Sequence, residues 1–233
     1  MSPPDSTMPP RAAGLKVRVA LLPVIAALLC VAGCSGLQSK QPPTQVYTLS
    51  PPLPAAADNP AAASATLKVL RPLCAPGLDA DTIALTRSGQ RFDFFAHSRW
   101  AAQLPELVQT AAIDALRAAG RFRIVQNDAV PLDADYLLQL EIHRFQAEYQ
   151  GDGPPTVRVQ LVATLGRHAD RSLITSVVAD SNVAAGANRV QSVSAAFETA
   201  LGQALAQLVG QIQPPATAPT PAPTAAPAAT PAP

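Results

Sequence analysis

The stretches YLLQLEIH (residues 136–143) and VRVQLVATL (residues 157–165) decide the fold. In the first, Tyr136, Leu138, Leu140 and Ile142 alternate with Leu137, Gln139, Glu141 and His143. In the second, Val157, Val159, Leu161, Ala163 and Leu165 alternate with Arg158, Gln160, Val162 and Thr164. A period of two places one set on a buried face and the other on an exposed face of a strand. Between them Gly151-Asp152-Gly153-Pro154 is turn chemistry. After the break from Gly166 to Arg171, residues Ser172 to Ala179 read as a third strand. Two short connections between three strands predict an antiparallel meander.

Outward from this meander the period changes. Val190, Val193, Phe197, Leu201, Leu205, Leu208 and Ile212 recur at helical spacing, a wide core face. Asn188, with Gln191 three residues later, resembles a capping box. Upstream, Leu104, Leu107, Val108, Ala111, Ala115 and Ala119 predict a second helix, with Pro105 in its first turn and Gly120 as its C-cap. Strands are expected at Val46–Leu49, Leu67–Leu73, Thr82–Thr86, Gln90–Ala96 and Phe122–Gln126, with Phe92 and Phe94 on one face and a turn before Trp100. The stretch from Pro51 to Ala65 reads as a loop. The expected fold class is α/β in the α+β sense: a mixed β-sheet with an antiparallel meander, packed by at least two helices, over residues 45–213.

The N-terminus carries an address. Arg11, Lys16 and Arg18 precede an uncharged run from Val19 to Val31, and Ala32-Gly33-Cys34-Ser35 follows. This is the n-region, h-region and small-residue cleavage site of a secretory signal. Thirteen apolar residues span only about 20 Å as a helix, short of the ~30 Å hydrocarbon core, and Pro23 interrupts them. Val31-Ala32-Gly33-Cys34 resembles a bacterial lipobox. Residues 1–33 are therefore expected to be removed, and Cys34 to take a lipid through its sulfur. Ser35, in place of Asp, points to the outer membrane. Met8 is an alternative start, because all three basic residues of the signal lie after it. Residues 34–44 form a tether. The last twenty residues, 214–233, contain only Pro, Ala and Thr and are expected to be a disordered tail with polyproline II character.

The whole chain of 233 residues has 17 basic and 16 acidic side chains, so no charge excess draws in nucleic acid. Without residues 1–33 the balance is 14 to 15, a net charge of −1. Of three cysteines, Cys30 leaves with the signal and the Cys34 sulfur is used by lipid. Cys74 is left alone, a small apolar residue outside any disulfide framework.

Motifs of catalysis are missing. There is no phosphate-binding loop, no G-x-S-x-G elbow, and no H-E-x-x-H or C-x-x-C spacing. His97, His143 and His168 are scattered, Glu141 and His143 share a strand face, and Asp133 and Asp135 flank a strand start as turn acids. Arg87, Arg91 and Arg99 interleave with Phe residues and Trp100. A stacking platform for nucleic acid has that look, but a neutral exported chain does not favour it. No catalytic residue, cofactor or metal is expected.

The order of motifs resembles the ABC-type transport auxiliary lipoprotein family. The resemblance rests on the lipobox, the strand Gln45-Val46-Tyr47-Thr48-Leu49, and the strand Leu67 to Pro72. It continues through the aromatic run from Phe92 into Trp100-Ala101, Leu104-Pro105-Glu106-Leu107, Gly120-Arg121-Phe122 and Asp135-Tyr136-Leu137-Leu138. The resemblance implies a non-catalytic outer-membrane lipoprotein. Its partners would be an MCE-family periplasmic protein with a permease and an ATPase, moving lipid between membranes. Arg91 and Trp100, or an edge strand, are the expected partner contact, and a homo-oligomer is an open expectation. The alternatives are a lipoprotein chaperone for outer-membrane assembly and an exported hydrolase.

Overall fold

A computed structural model describes residues 42–56, 64–87 and 91–215. The signal run, Cys34, Ser35 and the Pro/Ala/Thr tail beyond Pro215 lie outside the described residues. In chain order the elements are β1 (Gln45–Tyr47), β2 (Thr66–Val69), β3 (Leu73–Cys74), β4 (Thr82–Arg87), β5 (Arg91–Trp100), α1 (Leu104–Ala119), β6 (Ile124–Asn127), β7 (Tyr136–Glu148), β8 (Thr156–Arg167), β9 (Leu173–Ala184) and α2 (Val190–Gln211).

The long strand β7 organises the sheet. Along one side it pairs antiparallel with β8, which pairs antiparallel with β9. Along its other side three short strands follow one another, all parallel to it: β2 beside Leu138, β3 beside Ile142 and β4 beside Ala147. β6 extends the sheet beyond β2, and β5 then β1 extend it beyond β4. The sheet is therefore mixed and the meander β7–β8–β9 is antiparallel, as the alternation predicts.

The alternating sets account for the core. Leu138, Leu140, Ile142, Leu161 and Leu165 are each no more than 1% exposed, and each fully buried aliphatic side chain contributes about 1.5–3 kcal/mol. Both helices cover this face. Ala112 and Leu116 of α1 meet Leu205, Leu208 and Val209 of α2 over Leu138 and Leu140, around a cavity of about 10 Å³. That is scarcely room for one water. The α1 helix ends at Gly120, whose φ of 66° is the left-handed conformation that glycine takes without strain.

The structure departs from the sequence-based expectations in four places. The expected strand Leu67–Leu73 is two strands, because the chain bends through Arg71 and Pro72 and Pro72 has no N–H to continue a ladder. β5 does not turn before Trp100; it runs through it. The adjustment is a bulge in which Phe95–Ser98 face the single residue Ile83, with His97 at φ 54°. Asn188 does not cap α2. The N-cap is Arg189, and the Asn188 side chain instead accepts from the Tyr149 hydroxyl at 2.8 Å and donates to the Asp152 carbonyl at 3.3 Å. Asp135 is more than a turn acid: its Oδ2 accepts from both the backbone N–H and the hydroxyl of Thr66, at 2.7 Å each. Those two bonds lower its pKa.

After β1 the chain crosses α2 as a strap. The Ser50 N–H donates to Glu198 Oε1 at 3.1 Å, and the ring of Pro52 lies where a Cβ on Gly202 would come within 2.7 Å of its carbons. Gly202→Ala pushes the strap off. Overpacking costs about 1–3 kcal/mol, and alanine's helix preference offsets about 1 of it. The net loss in stability is small, and the expected change is faster proteolysis within residues 48–56 of the variant. Cleavage at the parental rate would show that the strap is not held there.

Candidate docking surface

Two surfaces stand out, and both follow from how short strands are laid along β7. The first is the end of the domain at which β4 and β5 pair, where Thr86 lies opposite Phe92 and beside Glu148. Phe92 and Phe94 point to one face, as the alternation predicts, 39% and 41% exposed, with ring centroids 5.3 Å apart edge to face. Phe95 points the other way, onto Tyr149. Arg87 lies over the Tyr149 ring at 4.9 Å, and Arg91 pairs with Asp93 at 3.5 Å. An open cleft of about 520 Å³ lies between β1 and the start of α2.

The expected partner contact at Arg91 and Trp100 divides. Arg91 is exposed. Trp100 is 1% exposed and packs edge-on against Phe145 and Phe197, with centroids 6.2 and 5.4 Å away. The strand runs through Trp100 into the core, so its ring is a core element and not a surface contact.

The second surface is the outer edge of β9, which among the described residues pairs only with β8. Leu173 and Val178 are 66% and 60% exposed there. At Asp180 the edge is closed by a side chain. Gln207 of α2 accepts from the Asp180 N–H at 3.3 Å and donates to its carbonyl at 3.2 Å, as a neighbouring strand would. This latch is invisible in the sequence, because Gln207 reads there as one more polar residue on the outer side of α2.

The polar groups singled out in the sequence do not converge on a reaction centre. His143 meets Glu141 at 3.0 Å in the open, and His168 Nδ1 lies 3.0 Å from the Ala134 carbonyl. Arg99 pairs with Asp81 at 3.3 Å. Among the described residues no three His, Cys, Asp or Glu side chains are grouped to hold a metal. Cys74 lines a shallow hollow of about 230 Å³ with Glu141 and His143, but its thiol is half-buried, and burial, then the nearby Asp79 charge, push its pKa up to about 11. At pH 8 the thiolate is about 100-fold scarcer than at the ordinary value, so alkylation of the Cys74 peptide in the folded protein is expected to be about 100-fold slower than in denaturant. The sign for stability follows from the same shift. The contribution is present below pH 9 and is lost as the pH rises through 11. Equal alkylation rates with and without denaturant would contradict this placement of Cys74.

No curated protein matches the chain in sequence. Among solved structures, protein XCC0632 of Xanthomonas campestris superposes with a TM-score of 0.62 at 23% identity, covering 71% of this chain and 93% of that one. An uncharacterized protein superposes at 0.56 and 15% identity, covering 72% and 98%. These likenesses show a shared fold. The model of the family described as the ABC-type transport auxiliary lipoprotein component matches residues 47–213, the span from β1 to the end of α2. The chain belongs to the ABC-type transport auxiliary lipoprotein family, whose members are membrane-anchored and face the periplasm.

Proposed function

We propose that the chain is an outer-membrane lipoprotein that docks the periplasmic part of an MCE-type transporter, and that it acts without catalysis of its own. The family match over residues 47–213, joined to a lipobox at Cys34, carries this reading. Ser35 after the acylated cysteine favours the outer membrane. The α2 helix ends near Arg121, whose side chain bonds Gln213 at 3.2 Å. That is the Tyr136 end of β7, about 40 Å from its Glu148 end. A protein held at one membrane meets a partner held at the other at high effective concentration, so a modest interface suffices.

The contact we assign to the transporter is the outer edge of β9. On either side of the Gln207 latch at Asp180 it offers main-chain hydrogen bonds to an added strand, and Val178 supplies an apolar anchor. The narrow cavity under the helices fits a docking role better than a lipid-carrying one. The test mixes the mature lipoprotein with a purified periplasmic MCE assembly and follows co-elution. Binding is expected for the parent and a loss of it for Val178→Lys, with unchanged melting. Absence of binding by the parent rejects the reading.

A further inference from the structure

We propose that Gln207 of α2 keeps β9 from pairing with the β9 of a second copy of this chain, and that its loss turns the chain into an edge-to-edge dimer. This holds whether or not a transporter strand also uses the edge. Asp180 shows which main-chain groups of β9 face outward, because its N–H and its carbonyl both go to Gln207 rather than to β8. In an antiparallel pair, successive residues alternate between facing the neighbouring strand and facing away from it. The register between β8 and β9 is regular from Thr175 to Ala184, so Ser176, Val178, Asn182 and Ala184 face outward with Asp180. The Ala185 N–H, one residue out of that set, points the other way, to the Pro155 carbonyl at 2.9 Å. Among the described residues β9 has no neighbouring strand but β8, and no bond reaches the outward main-chain groups of Ser176, Val178 or Asn182.

Asp180 is the middle one of these five outward-facing residues. An added strand that pairs with three of them in succession has to use the Asp180 N–H and carbonyl, and Gln207 holds both. Two residues remain on either side, and so short a ladder is a weak template. A latch at any of the other four positions would leave three in a row open. For two copies, a two-fold axis through Val178 sets Val178 against itself and Ser176 against Asp180 on both sides of the axis. Val178 is β-branched and 60% exposed, so this register has an apolar centre, and each Asp180 meets a serine rather than a second acid. Two of its three opposed pairs contain Asp180, so the latch removes most of it. An axis through Asp180 would use all five residues but would set two carboxylates side by side, which is unfavourable. The helix that carries the latch is itself fixed to the strand one turn earlier, where the Ser181 hydroxyl donates to Gln203 Oε1 at 2.6 Å.

The test uses the full mature chain in vesicles of phosphatidylethanolamine and phosphatidylglycerol. It carries Val178→Cys and is oxidised with copper phenanthroline. About the axis through residue 178 the two Cα atoms lie about 5.5 Å apart, within reach of a disulfide. Each copy gives up its two latch bonds on pairing, so adding Gln207→Ala is expected to speed the 178–178 link by at least about 10-fold. Gln207 is exposed and alanine favours a helix, so the variant keeps the fold, which its melting temperature checks. Gln211→Ala lies one turn further along α2, where the Gln211 side chain bonds only the Gln207 carbonyl at 3.4 Å, and should leave the rate unchanged. Asn182→Cys with Gln207→Ala should link slowly, because residue 182 does not meet its own copy about this axis. Cys74 is present in every chain, and the linked peptide is identified by mass. Sedimentation of the detergent-solubilised chain without an added cysteine reads the same equilibrium, with a larger dimer fraction expected for Gln207→Ala than for the parent. Equal 178–178 linking with and without Gln207→Ala overturns the proposal. Equal linking at residues 178 and 182 shows random collision and overturns it as well.

Discussion

Replacing Trp100 by alanine is expected to lower the melting temperature of the domain by about 6–20 °C. Trp100 sits where β5 runs into α1, 1% exposed, in a cluster with Phe145 and Phe197. Phe145 and Phe197 are themselves stacked with centroids 4.8 Å apart, so removing the indole opens a gap that two rings from different elements cannot close together. Truncation of a buried Trp costs about 3–5 kcal/mol, and for a domain of this size each kcal/mol lowers melting by about 2–4 °C. The neighbouring Arg91→Ala, on the exposed part of the same strand, should shift melting by under about 2 °C. Thermal melts of the two variants side by side separate a core role from a surface one. Unchanged melting of Trp100→Ala would remove Trp100 from the core.

Cys34→Ser is expected to abolish the acylated N-terminal peptide and to take the chain out of the outer-membrane fraction of a density gradient. The magnitude follows from the number of acyl chains. One chain gives only marginal binding, with a constant of about 10⁴ M⁻¹, whereas two or more hold a protein stably. Loss of the sulfur removes the acceptor for the diacylglycerol, so anchoring is lost as a unit. Fractionation and the mass of the N-terminal peptide read this directly. A wild-type peptide without acyl mass would show that Cys34 is not the attachment point. Retention of Cys34→Ser at the outer membrane would show that something other than the lipid holds it there.

The parts of the fold that were legible in the sequence are those where one strand has one buried face. Leu138, Leu140 and Ile142 could lie inside only if the polar residues between them lay outside, and the same holds for Val157 to Leu165. Helices α1 and α2 were legible for the same reason at their own period, and Gly120 because a helix end needs its conformational freedom. What was not legible depends on partners distant in sequence. Pro72 marks a break between Leu67–Val69 and Leu73–Cys74, but that both pieces pair with β7 reflects where that strand offers a free edge, which no local pattern shows. A turn was expected before Trp100 because the bulge in which Phe95–Ser98 face Ile83 shows only once β5 lies against β4. The Asn188 side chain fits a cap locally, but Tyr149 and Asp152, more than thirty residues away, compete for it successfully. The docking surfaces divide in the same way. Phe92 and Phe94 were visible as a pair on one face, whereas the latch of Gln207 on Asp180 exists only once α2 lies against the edge of β9.

The central claim, that this lipoprotein docks an MCE-type transporter, is tested most directly by recovering the tagged full-length chain from detergent-solubilised envelopes and identifying by mass spectrometry what accompanies it. The account predicts the MCE protein together with its permease and ATPase, recovered with the parental chain and depleted with Val178→Lys. Recovery of barrel-assembly proteins with no MCE component would contradict it and favour a chaperone for outer-membrane assembly.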